Sequence, residues 1–105
     1  MNNTEDQFKV LRRIKKAPEL TQRKLAADLG FSLGKLNYCL KALKGKGLVK
    51  LKNFQKKNNK IKYLGYVITP KGISYRTKLT LDFMKKKMKE YDELKKELEE
   101  DNRVN

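Results

Sequence analysis

Residues 21–43 read "TQRKLAADLGFSLGKLNYCLKAL", and this stretch decides the fold. Two runs of apolar residues at helical spacing flank Gly30, with Ala26 four residues before the glycine and Leu36 six residues after it. A small residue at the first position lets two helices approach, glycine allows a turn with positive φ, and the later apolar residue packs the second helix onto the first. The spacing therefore predicts a helix-turn-helix.

Hydroxyl side chains begin both of these helices. Thr21 is a suitable N-cap for a helix through Leu29, and Ser32 is a suitable N-cap for a helix over residues 32–46, because a hydroxyl oxygen accepts hydrogen bonds from the first backbone N–H groups. The inner face of the later helix carries apolar side chains at i, i+3, i+4 and i+7, which are Leu36, Cys39, Leu40 and Leu43. We interpret Cys39 as a buried apolar side chain and not as a redox sensor.

A further helix is predicted before this unit, over residues 5–16. Phe8, Leu11 and Ile14 recur at helical spacing there. Acidic residues occupy the first turn and basic residues the last, an order that suits the helix dipole. Pro18 then ends the helix.

After Gly47 the apolar period changes from that of a helix to that of a strand. The segments "LVKLKNF" (48–54) and "IKYLGYVI" (61–68) are rich in β-branched and aromatic residues, and the first alternates apolar with basic residues. The polar stretch 55–60, "QKKNNK", lies between them and has the asparagines of a turn. These residues predict a β-hairpin with a basic tip.

Thr69 and Pro70 are a strong start for a last helix, since proline fits the first helical position. The sequence after Gly72 contains no helix breaker as far as residue 101, which predicts a helix about 45 Å long at 1.5 Å per residue. Its apolar residues nearly follow a heptad, with Lys95 at one apolar position. These apolar residues, which we predict to form a dimer interface, are Leu81, Met84, Met88, Tyr91, Leu94 and Leu98. The alternative is an isolated helix that faces solvent.

These elements predict a mainly α fold with a small β-hairpin (α+β). A winged helix-turn-helix domain is expected over residues 5–69 and a long dimerisation helix over residues 70–101. Residues 1–4 and 102–105 are expected to be disordered. In a winged helix the third helix enters the DNA major groove, and the hairpin tip reaches the flanking minor groove or the phosphates.

The charge distribution also favours a polyanionic partner. The chain has 105 residues, a formal net charge of +15 and a pI near 10.0. Residues 29–81 contain thirteen basic residues and no aspartate or glutamate, whereas eight of the twelve acidic residues lie between Asp82 and Asp101. An AT-rich genome could enrich lysine and asparagine, but it would not explain why acidic residues are missing from half of the chain.

The composition excludes several classes of function. One cysteine and no histidine allow neither an internal disulfide, nor a Cys/His zinc site, nor a histidine general base. No apolar run is long enough to span a membrane, and the N-terminal residues lack the pattern of a signal peptide. We therefore expect a cytoplasmic protein that is not an enzyme and has no cofactor, no metal and no membrane partner.

The outer side of the third helix is the predicted DNA-reading surface. An asparagine can bond bidentately to adenine, and a lysine can reach the acceptors of guanine. The predicted recognition residues are Ser32, Gly34, Lys35, Asn37, Tyr38 and Lys41. Whether they read bases or contact phosphates alone is left open by the sequence.

Two further groups of residues are predicted to contact the DNA backbone, because cations that neutralise phosphates supply most of the affinity. The phosphate contacts flanking the recognition helix are Arg23, Lys24, Lys44 and Lys46. The basic wing, residues 55–60, is expected to act through Lys56, Lys57, Asn58, Asn59 and Lys60. The alternative is that residues 55–60 form a solvated lysine-rich loop that does not contact DNA.

The motifs "SLGKLNYCLKAL" (32–43) and "TPKGI" (69–73) resemble those of the small MarR-family winged-helix regulators associated with bacterial exopolysaccharide gene clusters. The resemblance extends over roughly residues 7–100 and implies a homodimeric transcriptional regulator that binds double-stranded DNA. The chain lacks the extra C-terminal helices of larger MarR proteins, so we expect no binding site for a small-molecule effector.

Two other functions remain as alternatives. A protein-interaction adaptor would need an acidic partner to match the acid-free middle of the chain. An RNA-binding module would need exposed aromatic side chains for stacking on bases. We expect Tyr63 and Tyr66 to be partly buried in the hairpin, which disfavours RNA.

Overall fold

The computed structural model describes residues 3–17, 20–55 and 61–104, and within them it contains four helices and one two-stranded antiparallel sheet. Their bounds, in chain order, are α1 (Asn3–Lys16), α2 (Gln22–Leu29), α3 (Leu33–Gly45), β1 (Val49–Gln55), β2 (Lys62–Ile68) and α4 (Pro70–Val104). The fold is thus mainly helical with one small hairpin, as the sequence predicts.

A single core lies among α1, α2, α3 and the base of the hairpin. Its centre is formed by the apolar stripe of α3, where Leu36 and Leu43 are completely buried. The buried residues packed together are Val10, Leu11, Ile14, Leu25, Ala26, Leu36, Cys39, Leu40, Leu43, Leu48 and Val49. At about 1.5–3 kcal/mol for each large side chain removed from water, this cluster is the main stabilising feature of the fold.

The predicted caps and turn of the helix-turn-helix are confirmed. The hydroxyl oxygen of Thr21 accepts a hydrogen bond of 3.2 Å from the backbone N–H of Lys24, and that of Ser32 accepts one of 3.1 Å from Lys35. Gly30 has φ of 71°, a left-handed conformation in which a Cβ would be strained. The turn therefore ends α2 and directs α3 across it.

The hairpin pairs Val49 with Ile68 at its base and Gln55 with Lys62 at its outer end. The predicted alternation of buried and exposed residues holds only at the base, since Val49 is buried whereas Leu51 is 39% exposed. The reason is that the helical core reaches only the first residues of the ribbon. Tyr63 and Tyr66 are half-buried, as expected.

Thr69 begins α4 as the sequence predicts. Its hydroxyl oxygen accepts a hydrogen bond of 3.0 Å from the N–H of Gly72. A Cβ on Gly72 would overlap the carbonyl oxygen of Leu48 and lie 2.7 Å from Cγ1 of Ile68. The first turn of α4 therefore packs directly on the backbone that follows α3.

Two helix ends differ from the sequence predictions. Residues 3–4 belong to α1, and residues 102–104 belong to α4, although both segments were expected to be disordered. Asn102 does not break the helix, and Arg103 in the last turn complements the negative end of the helix dipole. Pro18, which was expected to end the first helix, lies outside the described residues.

Candidate nucleic-acid interface

The outward face of α3 carries a single stripe of predicted recognition residues. Gly34, Asn37, Tyr38 and Lys41 follow one another at i, i+3, i+4 and i+7, so they share one side of the helix. All four are exposed, and Tyr38 retains 62% of its accessible surface. The buried stripe of α3 occupies the other side, so the two faces that the sequence distinguishes are separate in the structure.

Lys35 does not lie freely on this face. Its Nζ atom is 3.4 Å from Oδ2 of Asp6 in α1 and 4.3 Å from the ring centroid of Phe31. Ser32 has a structural role as the N-cap of α3, although its side chain is exposed. The sequence contained no signal for the pairing of Lys35 with Asp6, because the two residues are far apart along the chain.

The predicted phosphate contacts flank the stripe, and two of them have partners within the chain. Lys24 Nζ lies 3.3 Å from Oδ1 of Asp28 in the next turn of α2. Lys46 Nζ donates a hydrogen bond of 3.3 Å to Oε1 of the buried Gln7. Arg23 and Lys44 are exposed. Arg23 and Lys24 thus lie at the start of α2, and Lys44 and Lys46 lie at the end of α3.

Asp28 in α2 pairs with Arg13 in α1 as well as with Lys24. Arg13 Nη2 donates a hydrogen bond of 2.8 Å to Oδ2 of Asp28. This hydrogen bond, with help from Lys24, holds the pKa of the Asp28 carboxyl below its ordinary value of 3.8. The negative charge within α2 is therefore already matched by two positive charges of the protein.

The thiol of Cys39 lies on the buried face of α3, as predicted. Burial raises its pKa above the ordinary value, so the thiol stays protonated and unreactive at neutral pH. This side chain contributes packing and no chemistry.

The wing residues from Lys56 to Lys60 lie outside the described residues. The part of the hairpin that is described holds exposed Lys50, Lys52 and Lys62 on the two strands that lead to the tip. The two strands β1 and β2 thus also carry positive charge, at residues that were not among the predicted DNA contacts.

The apolar stripe predicted for the last helix is exposed. Its six side chains have between 52% and 65% of their surface accessible, and they are Leu81, Met84, Met88, Tyr91, Leu94 and Leu98. Beside the first residues of this stripe, α4 contacts α1 through Phe83, whose ring stacks on Phe8 with centroids 4.9 Å apart.

An open groove of about 620 Å³ lies between α1 and α4 around this pair. Its apolar lining residues include Phe8, Phe83, Met84 and Met88. Its charged lining residues are Lys9, Arg12, Arg76 and Lys87, together with the acidic Glu5. The amino-acid sequence contains no pattern that predicts this groove. No helix in the described part of the chain is long and apolar enough to cross a membrane.

Comparison with known proteins agrees with this architecture. Residues 7–50 match the family model of winged helix-turn-helix DNA-binding domains. Staphylococcus aureus MarR in complex with salicylate and kanamycin superposes with a TM-score of 0.65 at 23% identity, over 84% of this chain and 57% of that chain. No curated protein matches the chain in sequence.

Two similar structures contain DNA. The S. aureus MepR–DNA complex has a TM-score of 0.65 at 18% identity, over 84% of this chain and 63% of that one. Streptococcus pneumoniae FabT in complex with DNA has a TM-score of 0.57 at 20% identity, over 84% of this chain and 59% of that one. The chain spans less than two thirds of the length of each. It therefore has a winged helix-turn-helix fold that is extended by one long C-terminal helix.

Proposed function

We propose that this protein is a MarR-type transcriptional regulator that binds double-stranded DNA as a homodimer in the cytoplasm. The observation that carries the proposal is the exposed stripe Gly34, Asn37, Tyr38 and Lys41 on α3. This stripe lies in the acid-free half of the chain and within the segment that matches winged DNA-binding domains.

In the proposed complex α3 enters the major groove, and its outward stripe faces the base edges. Asn37 and Lys41 have the donors needed for direct readout, and the absence of a side chain at Gly34 lets the helix approach closely. Ser32 would face the phosphates at the start of α3, with Arg23, Lys24, Lys44 and Lys46 on either side. The wing, residues 55–60, would contact the neighbouring backbone.

We assign DNA binding and dimerisation to the two predicted parts of the chain. Residues 5–69 would bind DNA, and residues 70–101 would hold two copies together through the apolar stripe of α4. A two-fold protein dimer matches two half-sites of inverted sequence. No effector, metal or cofactor is required by this proposal, and no enzymatic step is part of it.

The exopolysaccharide genes are the proposed targets. The support for them is the resemblance of residues 32–43 and 69–73 to the exopolysaccharide-associated group. Sequencing of the chromosomal DNA that the full-length protein retains would test this part of the proposal. Enrichment of sites upstream of such genes is expected, and enrichment elsewhere would refute it.

The central experiment is selection of bound sequences from random DNA duplexes by the full-length chain. We expect an inverted repeat whose half-sites lie about one helical turn apart. We also expect binding to weaken with salt, with a log–log slope that grows by about 0.9 for each phosphate neutralised. Absence of enriched sequences, together with salt-insensitive binding, would refute the proposal and favour a protein-interaction adaptor.

A second selection, with structured and single-stranded RNA, distinguishes the proposed DNA-binding regulator from an RNA-binding module. The half-buried Tyr63 and Tyr66 present little free ring surface for stacking on bases. We therefore expect RNA to bind no more tightly than a random duplex of equal charge. Tighter binding of RNA than of the selected DNA would refute the proposal.

A further inference from the structure

The distal part of α4 extends beyond the rest of the protein. Every residue from Met84 to Arg103 is exposed, over a length of about 30 Å. The face that continues its apolar stripe toward the start of α4 is exposed as well, at Ser74, Thr77 and Lys78. One side of the helix is therefore exposed along nearly its full length. A long apolar stripe, or seam, that is exposed to water is typical of a protein–protein interface.

The seam follows two heptad positions. Leu81, Met88 and Lys95 fall at position a, whereas Met84, Tyr91 and Leu98 fall at position d. Lys95 is the one charged residue in the seam, and it lies in the last third of the helix. Any pairing of two copies must place this ammonium group beside something that tolerates it.

The two halves of α4 carry opposite net charge. Residues 71–89 contain seven basic residues and one acidic residue, a net charge of +6. Residues 90–103 contain seven acidic residues and three basic residues, a net charge of −4. The helix is therefore complementary to a second copy of itself when the two run in opposite directions.

We propose that two α4 helices pair antiparallel, about a two-fold axis that passes between Lys89 and Glu90. This proposal rests on the homodimer of the proposed function and specifies its geometry. Position a of one helix then packs in a layer with position d of the other. Leu81 meets Leu98 of the partner subunit, and Met88 meets Tyr91 of the partner subunit.

Lys95 decides between the two directions of pairing. In the antiparallel pair it meets Met84 of the partner subunit, whose flexible side chain can pack along the lysine methylenes while the ammonium reaches water. In a parallel pair each Lys95 would face the other in the same layer, and the two basic halves would lie side by side. Like charges at these distances repel, so the parallel arrangement is disfavoured.

The residues on one side of the seam, at position e, also favour antiparallel pairing. Position e is occupied by Lys78, Lys85, Asp92 and Glu99. In an antiparallel pair, positions e of the two helices face each other, so Lys85 meets Asp92 of the partner subunit and Lys78 meets Glu99 of the partner subunit. Symmetry repeats each pair, which gives four pairs of opposite charge beside the seam.

The groove between α1 and α4 fits the same partner. It is continuous with the seam, because Met84 and Met88 belong to both. The antiparallel helix would pass this groove with its acidic end, with Asp101 of the partner subunit close to Thr80. The charged residues that line the groove are mainly basic, with Lys9, Arg12 and Arg76 beside the single acidic Glu5, so they complement this acidic end.

Cysteine cross-linking in the full-length chain tests the direction of pairing. In a Cys39→Ala background, we expect Leu81→Cys/Leu98→Cys to form disulfide-linked dimers in air. Each single cysteine should fail to do so, because Leu98 and its symmetry mate are about 25 Å apart along the antiparallel pair, whereas a disulfide spans at most about 7 Å between Cα atoms. Efficient cross-linking of either single variant would overturn the proposal.

Sedimentation of the unmodified chain separates this inference from the function it rests on. A dimer whose single-cysteine variants cross-link would refute the antiparallel pairing and leave the dimeric regulator intact. A monomer at micromolar concentration would refute the homodimer itself. A dimer in which only the double variant cross-links supports both.

A charge-reversal series gives a second test that needs no cysteine. Lys85→Glu places a like charge opposite Asp92 in both symmetry-related pairs, and we expect it to weaken dimerisation roughly 2- to 10-fold. Lys85→Glu/Asp92→Lys should restore the dimer. The control is Lys86→Glu, which makes the same charge change on the outward side of α4 and should leave the dimer unchanged. Failure of the double variant to recover would overturn the antiparallel pairing.

Discussion

Lys35 Nζ in the recognition helix lies 3.4 Å from Oδ2 of Asp6 in α1, so a predicted DNA-reading side chain is held by a carboxylate of its own chain. The ring of Phe31, 4.3 Å from the same nitrogen, shields the pair on another side. Contact between Lys35 and a base therefore requires the lysine to exchange Asp6 for DNA. In the proposed complex, Asp6 would compete with DNA for the ammonium group of Lys35.

Removal of the competing charge should strengthen DNA binding. Asp6→Asn is expected to tighten binding by about 0.5–1 kcal/mol, the upper part of the range for ion pairs near the surface. Fluorescence anisotropy with the selected duplex at fixed salt would measure the change. Glu5→Gln makes the same charge change on the groove side of α1 and should have a smaller effect. Equal effects of the two substitutions would indicate a general charge effect and no competition for Lys35.

Asn37 is expected to determine specificity at a single base pair. Asn37→Ala should reduce the preference for the correct base there by about 1–3 kcal/mol and leave other positions unchanged. Competition binding with each single-base variant of the selected site would measure this. Lys57→Ala, in the wing, should instead weaken all duplexes alike and reduce the salt slope by about 0.9. A uniform loss in both variants would assign Asn37 to the phosphates.

Substitution of Gly34 should weaken DNA binding without destabilising the fold. A Cβ at this position meets nothing within 4 Å in the protein. Gly34→Ala should therefore raise the free energy of unfolding by about 0.5–1 kcal/mol, since alanine is the better helix former. The added methyl group projects toward the proposed DNA surface and should weaken binding. Gly45→Ala, which also points into open space, should stabilise the helix without affecting DNA.

Substitution of Gly72 should destabilise the fold, in contrast to substitution of Gly34. Because a Cβ on Gly72 would overlap the carbonyl oxygen of Leu48, Gly72→Ala must displace α4 from the backbone just before β1. We expect a loss of about 1–3 kcal/mol, typical of overpacked sites. Urea unfolding followed by circular dichroism would measure it. A stability equal to that of the unsubstituted chain would mean that α4 does not pack on Leu48 as described.

Asp28 should make stability dependent on pH in the acid range. The hydrogen bond from Arg13 lowers the pKa of Asp28 in the folded chain, so this contribution is present above the ordinary value of 3.8 and is lost as pH falls through the lower folded value. Asp28→Asn should therefore be less stable than the unsubstituted chain by a constant amount above pH of about 5. The difference should shrink on further acidification. Asp82→Asn controls for the loss of one negative charge.

Local features of the fold were predictable because their signals are local. Gly30 adopts the left-handed conformation that the turn requires, and Ala26 and Leu36 are buried against each other's helices as their spacing implies. The N-caps Thr21 and Ser32 follow from residue type alone. These features depend on a few neighbouring residues, so the sequence shows them directly.

The partners of the long cations were not predictable. Lys35 contacts Asp6 and Lys46 contacts Gln7, both across a large sequence separation. A lysine chain reaches many positions, and only the packing of α1 on α3 selects one. Leu51 shows a different limit, because strand alternation predicts a buried face that the small core does not extend far enough to cover.

Thr69 joins the recognition helix to the long helix through one hydroxyl group. The hydroxyl donates a hydrogen bond of 2.7 Å to the carbonyl oxygen of Gly47, just after α3, and accepts one from the N–H of Gly72 in α4. The backbone N–H of Thr69 also bonds to Leu48. In the proposed dimer, these hydrogen bonds would fix the distance between the two recognition helices before DNA binds. Binding would require little ordering of one unit relative to the other, and duplexes with a different half-site spacing would be rejected for geometric reasons alone.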